Sequence, residues 1–346
     1  MSRAGRGIVP GAGDRRLPPE PMPAPHRGGG APRVATETLL DRLLQASSRT
    51  FALTIPLLRE PTRREVTIAY LLFRVADSIE DSTRWPRDGK LQELEALRRF
   101  LEAPSGSIAA PWRKWAEDPP LDHPGYRELL GEFPSVMRAA ESLAPEAWRL
   151  VSSHTAKTCR AMASFVERER DGVLRLKDLG DLRAYCYAVA GIVGEMLTEL
   201  FLLDPALGPI ASVMRDEAPL FGEALQLVNI LKDRAADARE GRCYLPEEVD
   251  PADVFALARR DLAVASDYCA RLERFGADSG IVAFTALPAL LAFSSLGRVE
   301  RDGPGAKITR AEVSEIVAAL HEAVDRKTVG KLLETAGGSP RRPGGG

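Results

Sequence analysis

Residues 66–81 read VTIAYLLFRVADSIED, and this stretch decides the fold class. Apolar residues occupy nearly every side of a 3.6-residue repeat, which predicts a helix buried all round. Tyr70, Arg74, Asp77 and Asp81 break the pattern at spacings of 4, 3 and 4, so all of them fall on one stripe of that helix. Asp77 and Asp81 sit one turn apart on the same face. Two like charges there repel, and burial adds to the cost unless a cation neutralises them.

Residues 221–237, FGEALQLVNILKDRAAD, repeat the anomaly: Gln226, Asn229, Asp233 and Asp237 are spaced 3, 4 and 4 apart on an otherwise apolar helix. Two such helices facing one another would present both aspartate pairs and an amide to one cavity. Carboxylate oxygens with room for water suit Mg²⁺, which takes few protein ligands and keeps its other positions for water and phosphate. An ion held this way can grip a diphosphate and promote its departure, while the apolar walls hold a hydrocarbon chain. A lone DxxxD on a helix is usually a solvated face, or it pairs with a nearby Arg. Its recurrence inside two apolar helices argues for a functional cavity, although periodicity does not name the reaction.

Outward from these two stretches the helical pattern continues. Apolar spacings of three and four predict helices near 36–47, 62–83, 89–103, 125–142, 145–169, 178–203, 216–239, 250–274, 280–299 and 309–335. Pro61, Pro205, Pro246, Pro251 and Gly303-Pro304-Gly305 fall at their limits. The stretch 104–125, PSGSIAAPWRKWAEDPPLDHPG, is the least regular internal segment and is expected to be a surface loop. No repeat of solenoid length and no sustained strand pattern occurs, so the expectation is one all-α domain over 35–336. The Pro-, Gly- and Arg-rich stretch 1–34 and the tail 337–346 cannot bury a core and are expected to be disordered.

Composition narrows the function classes. A net charge of −2 and an aromatic content of 6% offer neither a basic field nor stacking platforms, so nucleic acid is not an expected partner. Cys159, Cys186, Cys243 and Cys269 form no CxxC pair and read as free thiols of a reducing compartment. The start of the chain lacks the apolar core of a secretory signal. The longest uncharged run, Gly280 to Gly297, contains Pro288 and small residues and reads as a core helix rather than a membrane span. A cytoplasmic protein, soluble or peripheral at a membrane, is expected. Oligomeric state is left open by the residues.

At the two stripes the sequence resembles the squalene and phytoene synthase family, over about residues 38–335. Four blocks carry the resemblance: Ser48-Arg49-Thr50-Phe51-Ala52, similar to an SRSFA-like segment; Tyr70 to Asp81, similar to YxxxRxxDxxED; Tyr185 to Gly194, similar to YCxxVAGxVG; and Gln226 to Pro246, similar to QxxNIxRDxxEDxxxGRxYxP. The resemblance implies the isoprenoid synthase fold, a single helical bundle around a central cavity. It implies Mg²⁺ at Asp77, Asp81, Asp233 and Asp237, with Glu80 and Asn229 assisting, and prenyl diphosphate substrates held by Arg49, Arg74, Lys232 and Arg242. Arg suits bidentate phosphate recognition; ordinary surface pairing is the competing explanation, weakest for Arg74 on the buried stripe. Tyr70 and Tyr185 are implied at the reaction centre, Tyr185 as a proton-handling group, though buried tyrosines with a satisfied hydroxyl would look the same. Gly191 and Gly194 would admit either substrate or a neighbouring helix. Lys232 replaces the family's usual Arg and Ala236 its usual Glu; neither change touches the paired aspartates.

The block Phe284 to Leu296 followed by Lys307-Ile308-Thr309-Arg310 resembles the squalene-forming branch, which implies farnesyl diphosphate as substrate and NADPH as reductant. No GxGxxG follows a strand, so an NADPH site would be cut into the helical bundle, with Phe284, Lys307 and Arg310 as candidates. A solvated helix start explains the two basic residues equally well. Two alternatives stay open: the phytoene- or dehydrosqualene-forming branch without reduction, and a non-catalytic family member acting as an assembly factor, which would be expected to lose the acidic pairs kept here.

Overall fold

The helix boundaries follow local chemistry. Pro124, Pro145 and Pro251 open helices at positions where the backbone N–H has no intrahelical partner to lose. Asp178, Asp250 and Asp278 accept hydrogen bonds from the first-turn N–H groups of Asp181, Ala252 and Gly280, and Thr309 with Glu312 forms a reciprocal capping box. The computed structural model describes residues 31–103, 112–239 and 242–338. In chain order the helices are α1 (Ala31–Ser47), α2 (Phe51–Thr54), α3 (Thr62–Glu80), α4 (Arg87–Glu102), α5 (Trp112–Glu117), α6 (Pro124–Gly131), α7 (Phe133–Ala140), α8 (Pro145–Val166), α9 (Leu179–Cys186), α10 (Ile192–Phe201), α11 (Ala211–Arg239), α12 (Pro251–Arg274), α13 (Ser279–Asp302), α14 (Arg310–Arg326) and α15 (Val329–Ala336). Among the described residues no strand forms; extended pairing is limited to isolated bridges such as Arg175 with Cys243.

The two stripe-bearing helices are α3 and α11. α3 packs against α1, α4, α6 and α8, and α11 against α10, α12 and α13. α10 touches α3, α8 and α11 and so bridges the two groups. Ile68, Leu71, Leu72, Val75 and Ile79 of α3 are fully buried; each side chain contributes about 1.5–3 kcal/mol by leaving water, which fixes the rotation of α3 and with it the direction of its polar stripe. Gly194 lets α10 touch the α11 backbone at Ala218, and Gly222 lets α11 touch the chain at Ala190 just before α10. Gly194 makes a helix–helix contact and also lines the cavity described below.

Four expectations change. The span 125–142 is two helices, because Pro134 at the start of α7 has no N–H with which to continue α6. The span 178–203 is interrupted by a wide π turn at Tyr187–Gly191, where Gly222 of α11 presses on the Ala190 carbonyl. The span 309–335 breaks at Lys327, which adopts a left-handed conformation with φ 54° and closes α14. The expected loop 104–125 contains α5: Trp115 is fully buried, edge-on to Phe133 at 5.2 Å, and Trp112 lies edge-on to Phe100 at 5.7 Å. So short a helix is held by tertiary packing, which propensity does not reveal. Residues 104–111 of that segment lie outside the described residues, as do 1–30 and 339–346 of the expected tails; α1 is helical from Ala31.

Two stretches, Leu179–Phe201 and Ser279–Asp302, are long and apolar enough to cross a membrane by length and composition. Of their most apolar windows, 50% and 72% respectively are buried inside the bundle, and Phe284, Leu287 and Leu290 of α13 belong to the main core.

Candidate active site

A cavity of about 620 Å³ opens between α3 and α11. Its rim is polar: Arg49, Tyr70, Arg74 and Asp77 on one side, Gln226, Asn229, Lys232 and Asp233 on the other. Below the rim the lining turns apolar, with Phe73, Leu197, Phe201, Phe221, Phe284 and Leu291. Among the buried lining residues the hydroxyls of Thr198 and Tyr268 are hydrogen-bonded to each other at 2.8 Å, which places this pair at the cavity floor. Phe221 packs edge-on to Tyr268 at 5.4 Å, and Phe201 edge-on to Phe284 at 6.1 Å.

Each acidic residue of the stripes has a cation of the chain beside it. Arg74 Nη1 lies 3.3 Å from Asp77 Oδ2. Its Nε donates to the Tyr70 hydroxyl at 3.3 Å, and Tyr70 in turn donates to the Ser47 carbonyl at 2.9 Å. Lys232 Nζ donates to Asn229 Oδ1 at 3.0 Å and lies 3.3 Å from Asp233 Oδ2. Arg242 Nη1 donates to Asp81 Oδ1 at 3.4 Å, and its Nε lies 3.9 Å from Asp237 Oδ1. Burial pushes the Asp77 carboxyl up to about 6; Arg74 opposes the rise and Asp81 adds to it. For Arg74 burial works against the charge, but Asp77 and the two tyrosines Tyr70 and Tyr126 outweigh it and hold the guanidinium more firmly protonated.

Behind α3, away from the cavity, Glu80 is buried and burial, with Asp81 and Asp77, pushes its carboxyl well above the usual range. Tyr185 donates to Glu80 Oε1 at 3.4 Å. Its ring stacks on Tyr244 at 4.9 Å and meets Phe165 edge-on. Tyr185 is thus 3% exposed and sits behind the acidic stripe rather than in the cavity wall, because aromatic neighbours cover both its face and its edge. Lys90 and Glu169 form a buried ion pair at 2.9 Å whose charges reach Glu80.

Of the residues singled out from the sequence, the fold brings Arg49, Tyr70, Arg74, Asp77, Asn229, Lys232, Asp233, Phe284 and Lys307 to one cavity. Asp81, Asp237 and Arg242 form a second cluster one helical turn further along α3 and α11. Phe284 is buried at depth, and Lys307 stands exposed at the rim. Arg310 is exposed as the first residue of α14 and outside the cavity lining. Sequence reasoning missed the Thr198–Tyr268 floor, the contact role of Gly222 and the Lys90–Glu169 pair. It also missed how Lys307 reaches the rim: Gly305 N–H donates to the Lys232 carbonyl at 2.7 Å and clips the α13–α14 connection onto α11. The turn signal Gly303-Pro304-Gly305 was visible, but its partner was not.

Among the described residues no three acidic, histidine or cysteine side chains converge to hold a metal by themselves. The donors are carboxylate oxygens on two facing helices with open space between them. That suits Mg²⁺, which needs few protein ligands when water and phosphate oxygens complete its shell.

The family model described as squalene/phytoene synthase matches residues 44–316. The chain is similar to the squalene synthase of Eremothecium gossypii (29% identical over 234 residues, 66% of this chain and 51% of the relative) and to that of Mycosarcoma maydis (31% over 205 residues, 59% and 34%). It is similar as well to squalene synthase ERG9 of Saccharomyces cerevisiae (30% over 207 residues, 60% and 45%). The matched stretch thus spans about half of these relatives' length or less. Two solved structures of TcSQS in complex with ligands share the fold, with a TM-score of 0.67 at 24% identity over 87% of this chain and about 90% of theirs. The architecture is the all-α isoprenoid synthase fold.

Proposed function

The chain belongs to the squalene/phytoene synthase family, and on that premise we propose that it is a prenyltransferase that joins two farnesyl diphosphates head to head, through presqualene diphosphate, and reduces the product to squalene with NADPH. The observation that carries this reading is the pair of acidic helices facing each other over an apolar cavity of about 620 Å³. The polar rim matches diphosphates and the lining matches hydrocarbon chains.

Asp77, Asp81, Asp233 and Asp237, with Asn229 assisting, would hold Mg²⁺, which when bound offsets charge on the departing diphosphate; Glu80, buried away from the cavity, would bear on them only through its charge interaction with Asp77 and Asp81. Arg49, Arg74, Lys232 and Arg242 would orient the diphosphate oxygens. Tyr70, anchored to the Ser47 carbonyl, stands where a proton or carbocation near the rim can be shielded. Tyr185 acts through its hydrogen bond to Glu80 rather than by contact with the chain. Phe201, Phe221 and Phe284 exclude water from the hydrocarbon chains, which matters because water would trap carbocations as alcohols. NADPH would supply hydride, and Lys307 at the rim is the candidate for holding it, with Phe284 beneath, whereas Arg310 lies outside the cavity lining. The proposed catalytic domain is 35–336, extended to Ala31 by α1. Amphiphilic substrates and an oily product fit a cytoplasmic enzyme in peripheral contact with a membrane.

The test is incubation of purified protein with farnesyl or geranylgeranyl diphosphate and Mg²⁺, with and without NADPH, followed by product identification. Squalene from farnesyl diphosphate only when NADPH is present is expected. An identical product with and without NADPH, or consumption of geranylgeranyl diphosphate alone, replaces this reading with the phytoene or dehydrosqualene one.

A further inference from the structure

The outer cluster of the two stripes is joined by one guanidinium. Asp81 caps the C-terminus of α3, Asp237 lies on α11, and Arg242 reaches both, at 3.4 Å and 3.9 Å. The backbone that delivers Arg242 is pinned. Its N–H donates to the Asp237 carbonyl at 2.8 Å, Cys243 pairs with Arg175 in a bridge, and Tyr244 stacks on Tyr185 at an interplanar angle of 19°. The guanidinium contacts to the two aspartates are longer than a well-formed charge-assisted pair. The backbone thus has a fixed seat, and from it the guanidinium spans the gap between the two aspartates.

We propose that Arg242 is a positioning residue for metal loading. In the metal-free protein it clamps Asp81 and Asp237 across the two helices, and it releases them to Mg²⁺ only when a diphosphate arrives to accept the guanidinium. This rests on the reading above that the site takes Mg²⁺ and diphosphate. The reason is charge balance. Mg²⁺ alone must displace a cation from the same carboxylates and then stand beside it, so it binds poorly. A diphosphate offers the displaced guanidinium a bidentate partner, so metal and diphosphate favour each other's binding, and the coupling is reciprocal.

The test is calorimetric titration of the full chain with MgCl₂ alone and with preformed magnesium pyrophosphate, together with melting temperatures in EDTA and in Mg²⁺. Arg242→Gln is expected to bind Mg²⁺ alone at least about fivefold tighter than wild type, the lower range for coupled sites. It should also melt lower in EDTA and gain more from Mg²⁺. Arg242→Lys keeps the charge but loses the fork that faces two carboxylates, and should fall between. Arg234→Gln, which removes a positive charge from α11 without touching the bridge, should match wild type in metal binding. Equal or weaker binding of Mg²⁺ alone by both Arg242 variants overturns the proposal while leaving the family's metal chemistry intact. If wild type binds neither Mg²⁺ nor magnesium pyrophosphate, the proposal falls together with the metal assignment.

Discussion

Gly194 of α10 lies so close to Ala218 of α11 that a Cβ on the glycine would sit 2.2 Å from the alanine's carbonyl oxygen. Both residues line the cavity, so this contact sets the separation of its apolar walls. Gly194→Ala is expected to lower the unfolding free energy by about 1–3 kcal/mol through overpacking, read from urea titrations. Gly208→Ala, where nothing stands within 4 Å of the added carbon, is the control and should be near neutral. An unchanged midpoint for Gly194→Ala would mean that the two helices part freely.

The Asp77 carboxyl carries a pH signature. Its folded pKa of about 6 lies above the ordinary 3.8, so protonation favours the folded state. That stabilisation is complete below about pH 4 and is lost as pH rises through 6. At about 1.36 kcal/mol per unit the shift amounts to roughly 3 kcal/mol at most. Metal-free Asp77→Asn should therefore be more stable than wild type at pH 7.5, less whatever the Arg74 contact returns, with the gain vanishing near pH 4. Asp77→Asn and Asp233→Asn are both expected to lose turnover while remaining folded by circular dichroism. Near wild-type activity in both variants would sink the role given to the acidic stripes.

Tyr268 and Thr198 close the cavity floor with a hydrogen bond of 2.8 Å. Tyr268→Phe leaves the Thr198 hydroxyl without this partner at a cost of about 1–3 kcal/mol, but the ring still fills the floor, so chain-length preference should hold. Tyr268→Ala opens the floor, and the ratio of kcat/KM for geranylgeranyl over farnesyl diphosphate should rise. A ratio that stays the same in Tyr268→Ala would show that depth is limited elsewhere.

Lys307 stands at the rim and Arg310 outside it. Lys307→Ala is expected to raise the KM for NADPH severalfold while sparing the first condensation, measured as diphosphate release without NADPH. Arg310→Ala should change neither. Equal effects from both substitutions would argue against a rim site for the reductant.

Much of this was legible in the chain. Tyr70, Arg74 and Asp77, and likewise Gln226, Asn229 and Asp233, share a stripe by helical spacing alone, and the fold sets both stripes on one cavity. Lys90, Glu169 and Tyr268 gave no such signal, because a charged or hydroxylated residue in an ordinary amphipathic helix looks the same whether it meets water or a buried partner.

Local periodicity determined which residues form helices and which sides of α3 and α11 are polar, because neighbours three and four apart on one helix are fixed by backbone geometry. Pairings across the chain were decided only by the tertiary structure: Asp81 with Arg242 across 161 residues, Tyr185 behind Glu80 rather than in the cavity, and Lys307 clipped to α11 through Gly305. These depend on how far apart and at what rotation the helices pack. That is set by contacts such as Gly194 on Ala218 and the buried aromatic cluster of α5, which no spacing within a single helix encodes.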